Sequence, residues 1–152
     1  MLLDKAIKEI EFELNEIDTL LELYKNELFE LNREPNLVEL TALAGVLHSF
    51  YSGIERIFII IAKNTDKKLP SDLNWHKALL MQMATENKHR QAVISLETKE
   101  MLSEYLVFRH FYRHSYSFRL KWKELKNLII PIQQNWEEIK SEILSFIEMK
   151  LG

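Results

Sequence analysis

The sequence predicts an all-α protein, a five-helix up-and-down bundle forming one domain over residues 1–152. Three observations predict it. Apolar residues recur at alternating spacings of three and four over long stretches, the period of a helix with one buried face. Gly and Pro number only three each, so turns are few and elements long. Hydrophobic residues are 47% of the chain and charged residues 28%, a globular balance, and 152 residues suit one sizeable core.

The first helix follows from Leu3, Ile7, Ile10, Leu14, Ile17, Leu21, Tyr24, Leu28 and Leu31, a single apolar seam of about nine turns. It ends at "REPN", because Pro35 disfavours helix at the residue before it. Asn36 followed by Glu39 reads as an N-cap with its capping-box partner. The second helix carries Leu37, Leu40, Ala44, Leu47, Tyr51, Ile54, Phe58 and Ile61, and its other faces are apolar too, which places it at the centre of the bundle. Gly45 and Gly53 lie inside it without a Gly-rich loop, and predict close helix approach. After the polar loop "KNTDKKLPSD", Asp72 or Asn74 caps a short third helix through "WHKALLMQMA". "ENKHRQAVISLE" lacks periodicity and reads as a connection; Thr98 then caps the fourth helix, "KEMLSEYLVFRHFYRH". The fifth runs through Trp122, Leu125, Ile129, Ile132, Trp136, Ile139, Ile143 and Phe146, with a kink or break near Ile130 imposed by Pro131.

Cysteine is absent, which removes disulfides, thiolate metal sites and cysteine nucleophiles and fits a reducing compartment. The start "MLLDKAIKEIEFEL" is charged from residue 4 and predicts no signal peptide. The longest unbroken apolar run, "IFIIIA", is well short of the roughly 20 residues of a membrane span. The expectation is a soluble, cytoplasmic protein with no membrane partner. Net charge is −3, but residues 1–34 hold ten acids and four bases, whereas residues 109–126 hold six bases and one acid. An acidic chain with one basic segment can still receive a polyanion.

Several sites are excluded: there is no Gly-rich phosphate loop, no G-x-S-x-G elbow and no Asp-rich metal loop. Glu86 and His89 make a Glu-x-x-His pair, but the second pair and two further helix carboxylates of a bridged metal site are missing. His110 and His114, at i and i+4, face one way, yet no third ligand is near and Arg109 and Arg113 repel a cation. No metal and no cofactor is therefore expected. His48 and His76 have no chemical neighbourhood in the sequence and read as hydrogen-bonded histidines at helix contacts.

What remains is "FRHFYRHSY", residues 108–116, and within it Arg109-x4-His114-x-Tyr116. A histidine moves protons near neutral pH and a fixed guanidinium holds a phosphoryl oxygen. Together they suit RNA cleavage without metal: a base takes the 2′-hydroxyl proton, the cation stabilises the pentacovalent phosphorus, and an acid protonates the leaving 5′-oxygen. Tyr105, Phe108, Phe111 and Tyr112 offer stacking faces for unpaired bases. Arg113, His110, Tyr112 and Arg119 are the candidates for RNA contact. On a helix, positions 109 and 114 stand about 140° apart, while 109, 112 and 116 share a face. Either the helix loosens near His114 or the pair is assembled from two chains across a two-fold interface. An ordinary charged helix in an interaction domain is the plain alternative.

"RHFYRHSY" resembles the R-x4–6-H motif of the HEPN superfamily, and especially the R-x4-H-x-Y form of HepT-type toxins. "LHSFYSGIERIF", "LNWHKALLMQM" and "LVFRHFYRHSYSFRLKW" extend the similarity over roughly residues 37 to 126. The resemblance implies a homodimeric helical bundle with a metal-independent RNase cleft, in a type VII-like toxin–antitoxin pair. It implies Arg109 and His114 as the catalytic pair. It implies Tyr116 as the tyrosine that a minimal nucleotidyltransferase antitoxin modifies with AMP to silence the toxin. Some HEPN proteins bind nucleotides or partners without cleavage, so a non-catalytic helical binding module is the second reading.

Overall fold

The computed structural model describes residues 4–151 and is all helical: among these residues there is no strand, only an isolated bridge between Asn87 and Arg90. Seven α-helices appear rather than five, because two of the expected long helices are each divided. The first runs as α1, Asp4–Leu23, then bends at Tyr24 into α2, Lys25–Phe29. In α1 the seam Ile7, Ile10, Leu14, Ile17 and Leu21 is buried as its spacing predicts, while Leu3 lies outside the described residues. Tyr24 leaves the seam, 37% exposed, and the bend there returns Leu28 to the core. Leu31 is half-buried and already past the helix.

α3, Leu37–Ile61, starts where the sequence says it should. The Asn36 side chain accepts from the Glu39 N–H, and the Glu39 carboxylate accepts from the Asn36 N–H, each at 2.9 Å. Two such bonds satisfy donors that a helix start otherwise leaves open. The helix is buried on nearly every side, with Leu43, Ala44, Phe50, Ile54, Ile57 and Ile61 wholly inaccessible, and it packs against α1, α4, α5 and α6. A π-helical turn, Ala62–Asp66, follows and ends at Lys67 in the left-handed region. By length and composition Leu37–Asp66 is apolar enough to cross a membrane, with mean hydropathy 1.3, but half of that window is covered by the other helices. Gly53 is a true close approach: a Cβ there would lie 3.0 Å from Ile17 Cγ1 of α1. Gly45 is not, since the nearest atom to its Cβ would be the Tyr112 hydroxyl at 3.9 Å.

α4, Trp75–Met83, is the short third helix. Its N-cap position is Asn74, whose side chain makes no cap bond; instead Asp72 accepts from the Asn74 N–H at 3.0 Å. The connection to α5 is held by Arg90, whose wholly buried guanidinium pairs with Asp66 at 2.7 Å and donates to the carbonyls of Gln82, Thr85 and Gln91. α5, Leu96–His114, begins three residues before the expected start. Ser95, not Thr98, is the N-cap, and its hydroxyl accepts from the Thr98 N–H at 3.1 Å. Thr98 is buried and its hydroxyl donates to Glu142 of the last helix, so its side chain is committed elsewhere.

α6, Trp122–Ile129, and α7, Ile132–Leu151, are separated at Ile130–Pro131, as expected of a proline that brings no N–H and crowds the preceding turn. Trp136 of α7 is buried, and its Nε1 donates to Asp18 of α1 at 2.7 Å, alongside Lys140 at 2.6 Å. These bonds close the last helix against the first.

Candidate active site

The motif occupies the final two turns of α5 and the loop after it. Leu102, Tyr105 and Phe108, at spacings of three, turn that helix's buried face to the core. Tyr105 anchors it: its hydroxyl donates to the Leu128 carbonyl at 2.7 Å and accepts from Asn135 at 3.0 Å, and burial pushes the phenol up to about 12. Tyr105 and Phe108 are therefore structural, 1% and 7% exposed, and cannot offer faces to a nucleic acid. Of the four aromatic residues expected to stack, only Phe111 and Tyr112 are half-open.

Arg109 turns toward α3. Its Nε is buried without a hydrogen-bond partner among the described residues, and its charge reaches His48 and Tyr51. His48 packs its ring against Tyr112, with centroids 5.0 Å apart, and its Nε2 is likewise buried and unpartnered. Burial first, and then the Arg109, Arg113 and Arg56 charges, hold this imidazole below its ordinary pKa, so it is neutral at pH 7. The expectation of a hydrogen-bonded histidine holds for His76, whose Nδ1 lies 2.7 Å from the buried Glu55 carboxylate. At His48 the Nε2 has no hydrogen-bond partner among the described residues.

His114 points the other way. It is exposed, with its ring 4.5 Å from that of His110 one turn earlier. The helix does not loosen before it: α5 stays α-helical to His114 and only Ser115 becomes extended. Five helical positions leave Arg109 and His114 about 140° apart, so one chain does not set the two side chains face to face. Glu86 and His89 lie in the connection before α5, not on a helix, and among the described residues no three potential metal ligands cluster.

Tyr116 does not continue the helical face of Arg109 and Tyr112, because the helix has ended two residues before it. It is extended, precedes a 3-10 turn over Ser117–Arg119, and is 74% exposed rather than packed in the core. Its ring stacks on Phe118 at 5.5 Å and 9°, and the Arg119 guanidinium lies 5.1 Å from the Phe118 centroid. Tyr116 and Tyr112 nevertheless meet at the walls of one cavity of about 260 Å³, which Thr41, Phe111, Ser115, Ser117 and Leu120 complete. Buried Leu120 pins the far end of this loop.

The chain's six arginines divide by partner. Arg33, Arg56 and Arg90 each hold a carboxylate, Glu39 at 2.6 Å, Glu13 at 3.1 Å and Asp66 at 2.7 Å. Among the described residues Arg109, Arg113 and Arg119 hold none, and neither do Lys121, Lys123 and Lys126. The positive segment seen in the sequence is thus not neutralised by the acids of α1. His48, 61 residues before Arg109 and expected only as a histidine at a helix contact, is a group on which the Arg109 charge acts. Its one visible signal is a titratable residue inside the apolar stretch "TALAGVLHSFYSGI".

A family model described as HepT-like protein matches residues 42–150. No curated protein and no solved structure matches the chain. The match leaves out α1 and α2, and it extends beyond the resemblance over residues 37 to 126 to take in α7. It covers most of the chain and contains the whole Arg109–Tyr116 motif. The chain therefore belongs to the HepT-like family of the HEPN superfamily.

Proposed function

We propose that the protein is a metal-independent endoribonuclease toxin, silenced when a nucleotidyltransferase antitoxin transfers AMP to Tyr116. The observation that carries the reading is the set of guanidiniums at the motif without carboxylate partners, with the half-buried His48 held below its ordinary pKa by burial and then by the Arg109 and Arg113 charges. An arginine already held by a carboxylate must break that pair to bind phosphate; Arg109, Arg113 and Arg119 have no such pair to break. In the proposed reaction the RNA 2′-oxygen attacks the adjacent phosphorus and the bond to the 5′-oxygen breaks. Arg109 stabilises the charge on the phosphoryl oxygens and His114 transfers a proton.

The 140° between those residues requires a second chain, so the active form is a homodimer with the α5 helices near the two-fold axis. Exposed Val107, with Phe111 beside it on a groove between α5 and α6, supplies apolar surface for that contact. The setting proposed is cytoplasmic. The separation within one chain also favours the second reading, a non-catalytic helical module in which Arg109 binds a nucleotide or partner and nothing is cut. Incubation of the purified protein with RNA in excess EDTA decides between them. Cleavage should persist with the chelator and disappear in Arg109→Ala and His114→Ala while the helical circular dichroism stays intact. Cleavage lost with EDTA, or normal cleavage by both variants, defeats the mechanism.

A further inference from the structure

We propose that His48 is a positioning residue for Arg109: its Nε2 accepts from one bridging water that takes the Arg109 Nε–H, and so fixes the plane in which the guanidinium meets an RNA phosphate. The inference rests on the ribonuclease reading for its purpose, though not for its geometry. Among the described residues only three buried side-chain nitrogens or oxygens lack a hydrogen-bond partner, His48 Nε2, Thr65 Oγ1 and Arg109 Nε. Thr65 lies in the π turn at the end of α3. The other two come from packed stretches of α3 and α5, and they are chemically complementary. An arginine Nε–H can only donate, and an imidazole Nε2 accepts when the proton is on Nδ1. Buried polar groups in folded proteins are nearly always satisfied by protein or ordered water, so a donor and an acceptor left over on two helices that pack together, with the Arg109 charge felt at His48, point to each other.

The imidazole is held in place for this. Its ring lies on Tyr112, three residues beyond Arg109 on the same helix. Arg109 and Arg113 of α5 and Arg56 of α3 all disfavour its protonated form, as burial does. Glu55 of α3 acts in the opposite sense, but its carboxylate is engaged by His76 at 2.7 Å. A neutral ring can accept; a protonated one would add a further cation to this cluster and lose the acceptor. With Nε anchored, the two terminal nitrogens form a fixed fork, the geometry that matches two phosphoryl oxygens. Lysine has no equivalent of the anchored nitrogen.

The test compares His48→Phe, which keeps a ring against Tyr112 and removes the acceptor, with His48→Gln, whose amide oxygen restores an acceptor. Two measurements are made on the full chain. One is the exchange rate of the Arg109 Nε–H by ¹⁵N NMR, assigned through Arg109→Lys. The other is RNA cleavage, separated into kcat and KM. Exchange should quicken at least tenfold in His48→Phe and return toward wild type in His48→Gln, with kcat falling and recovering in parallel and KM changing less. If the wild type does not cleave RNA yet the exchange pattern holds, the function above fails and the positioning role stands. If exchange in His48→Phe matches wild type, the inference is overturned. Should His48→Phe fail to fold, acidification replaces it: lowering pH through the His48 titration should reduce the protection of the Arg109 Nε–H, measured against the exchange of an exposed arginine at the same pH, in wild type and not in His48→Gln, and equal behaviour of the two overturns it.

Discussion

Replacing Arg113 and Arg119 together by glutamine tests whether the unpaired guanidiniums meet RNA phosphate. Both side chains are exposed and neither has a carboxylate partner among the described residues, so the substitution removes charge without breaking an ion pair. For a single strand, each phosphate neutralised by a protein cation contributes about 0.7 to the slope of log affinity against log salt, so the double variant should lose about 1.4 from that slope. Over a rise from about 50 to about 200 mM salt, the variant's affinity should therefore fall about sevenfold less than that of wild type. The assay is fluorescence anisotropy with a 2′-O-methyl single strand, which cannot be cleaved and so isolates binding. Arg33→Gln is the control, because Arg33 is already committed to Glu39 through bonds of 2.6 and 3.0 Å. A double variant whose slope equals wild type would refute the reasoning, as would an equal drop from Arg33→Gln.

Arg90→Met should destabilise by about 3–5 kcal/mol, since it strands the buried Asp66 carboxylate and three carbonyls, and should lower Tm by about 10 °C. The loss should depend on pH. Burial tends to raise the Asp66 pKa, but hydrogen bonds from Arg90 and Gln82 and the Arg90 charge outweigh it and hold the carboxyl below its ordinary value. That stability is present above the unfolded carboxylate pKa and is lost as pH falls through the lower folded value, so urea denaturation should show the difference at pH 7 and a shrinking one below about pH 4. Gly53→Ala should cost about 1 kcal/mol because its Cβ would stand 3.0 Å from Ile17, whereas Gly45→Ala, with open room, should gain up to about 1 kcal/mol from helix propensity. Tyr116→Phe should keep most RNase activity and escape silencing; mass spectrometry after incubation with antitoxin and ATP should find AMP on the wild-type Tyr116 peptide, and AMP only elsewhere would defeat the assignment.

Helices were legible in the sequence because their signal is local. The seam of α1, the capping box at Asn36 and the break at Pro131 each depend on residues within a turn or two of one another. The motif was legible for the same reason: Arg109, His114 and Tyr116 lie within eight consecutive positions, and residue type alone names their chemistry. Direction and partnership were not. Whether Tyr105 faces RNA or Leu128 depends on where α6 and α7 lie, and the bend at Tyr24 depends on the core in which Leu28 is buried. That Arg56 is neutralised by Glu13 while Arg109 is not is a matter of which helices pack, not of composition. His48 shows the limit most clearly. Most of its neighbours in the chain are apolar, and its chemical character comes from its burial and from the Arg109 and Arg113 guanidiniums, which are brought to it across a helix contact from more than sixty residues away. Local periodicity determines helices and a contiguous motif names its groups, but burial, charge pairing and the meeting of distant side chains arise only when the helices close on one another.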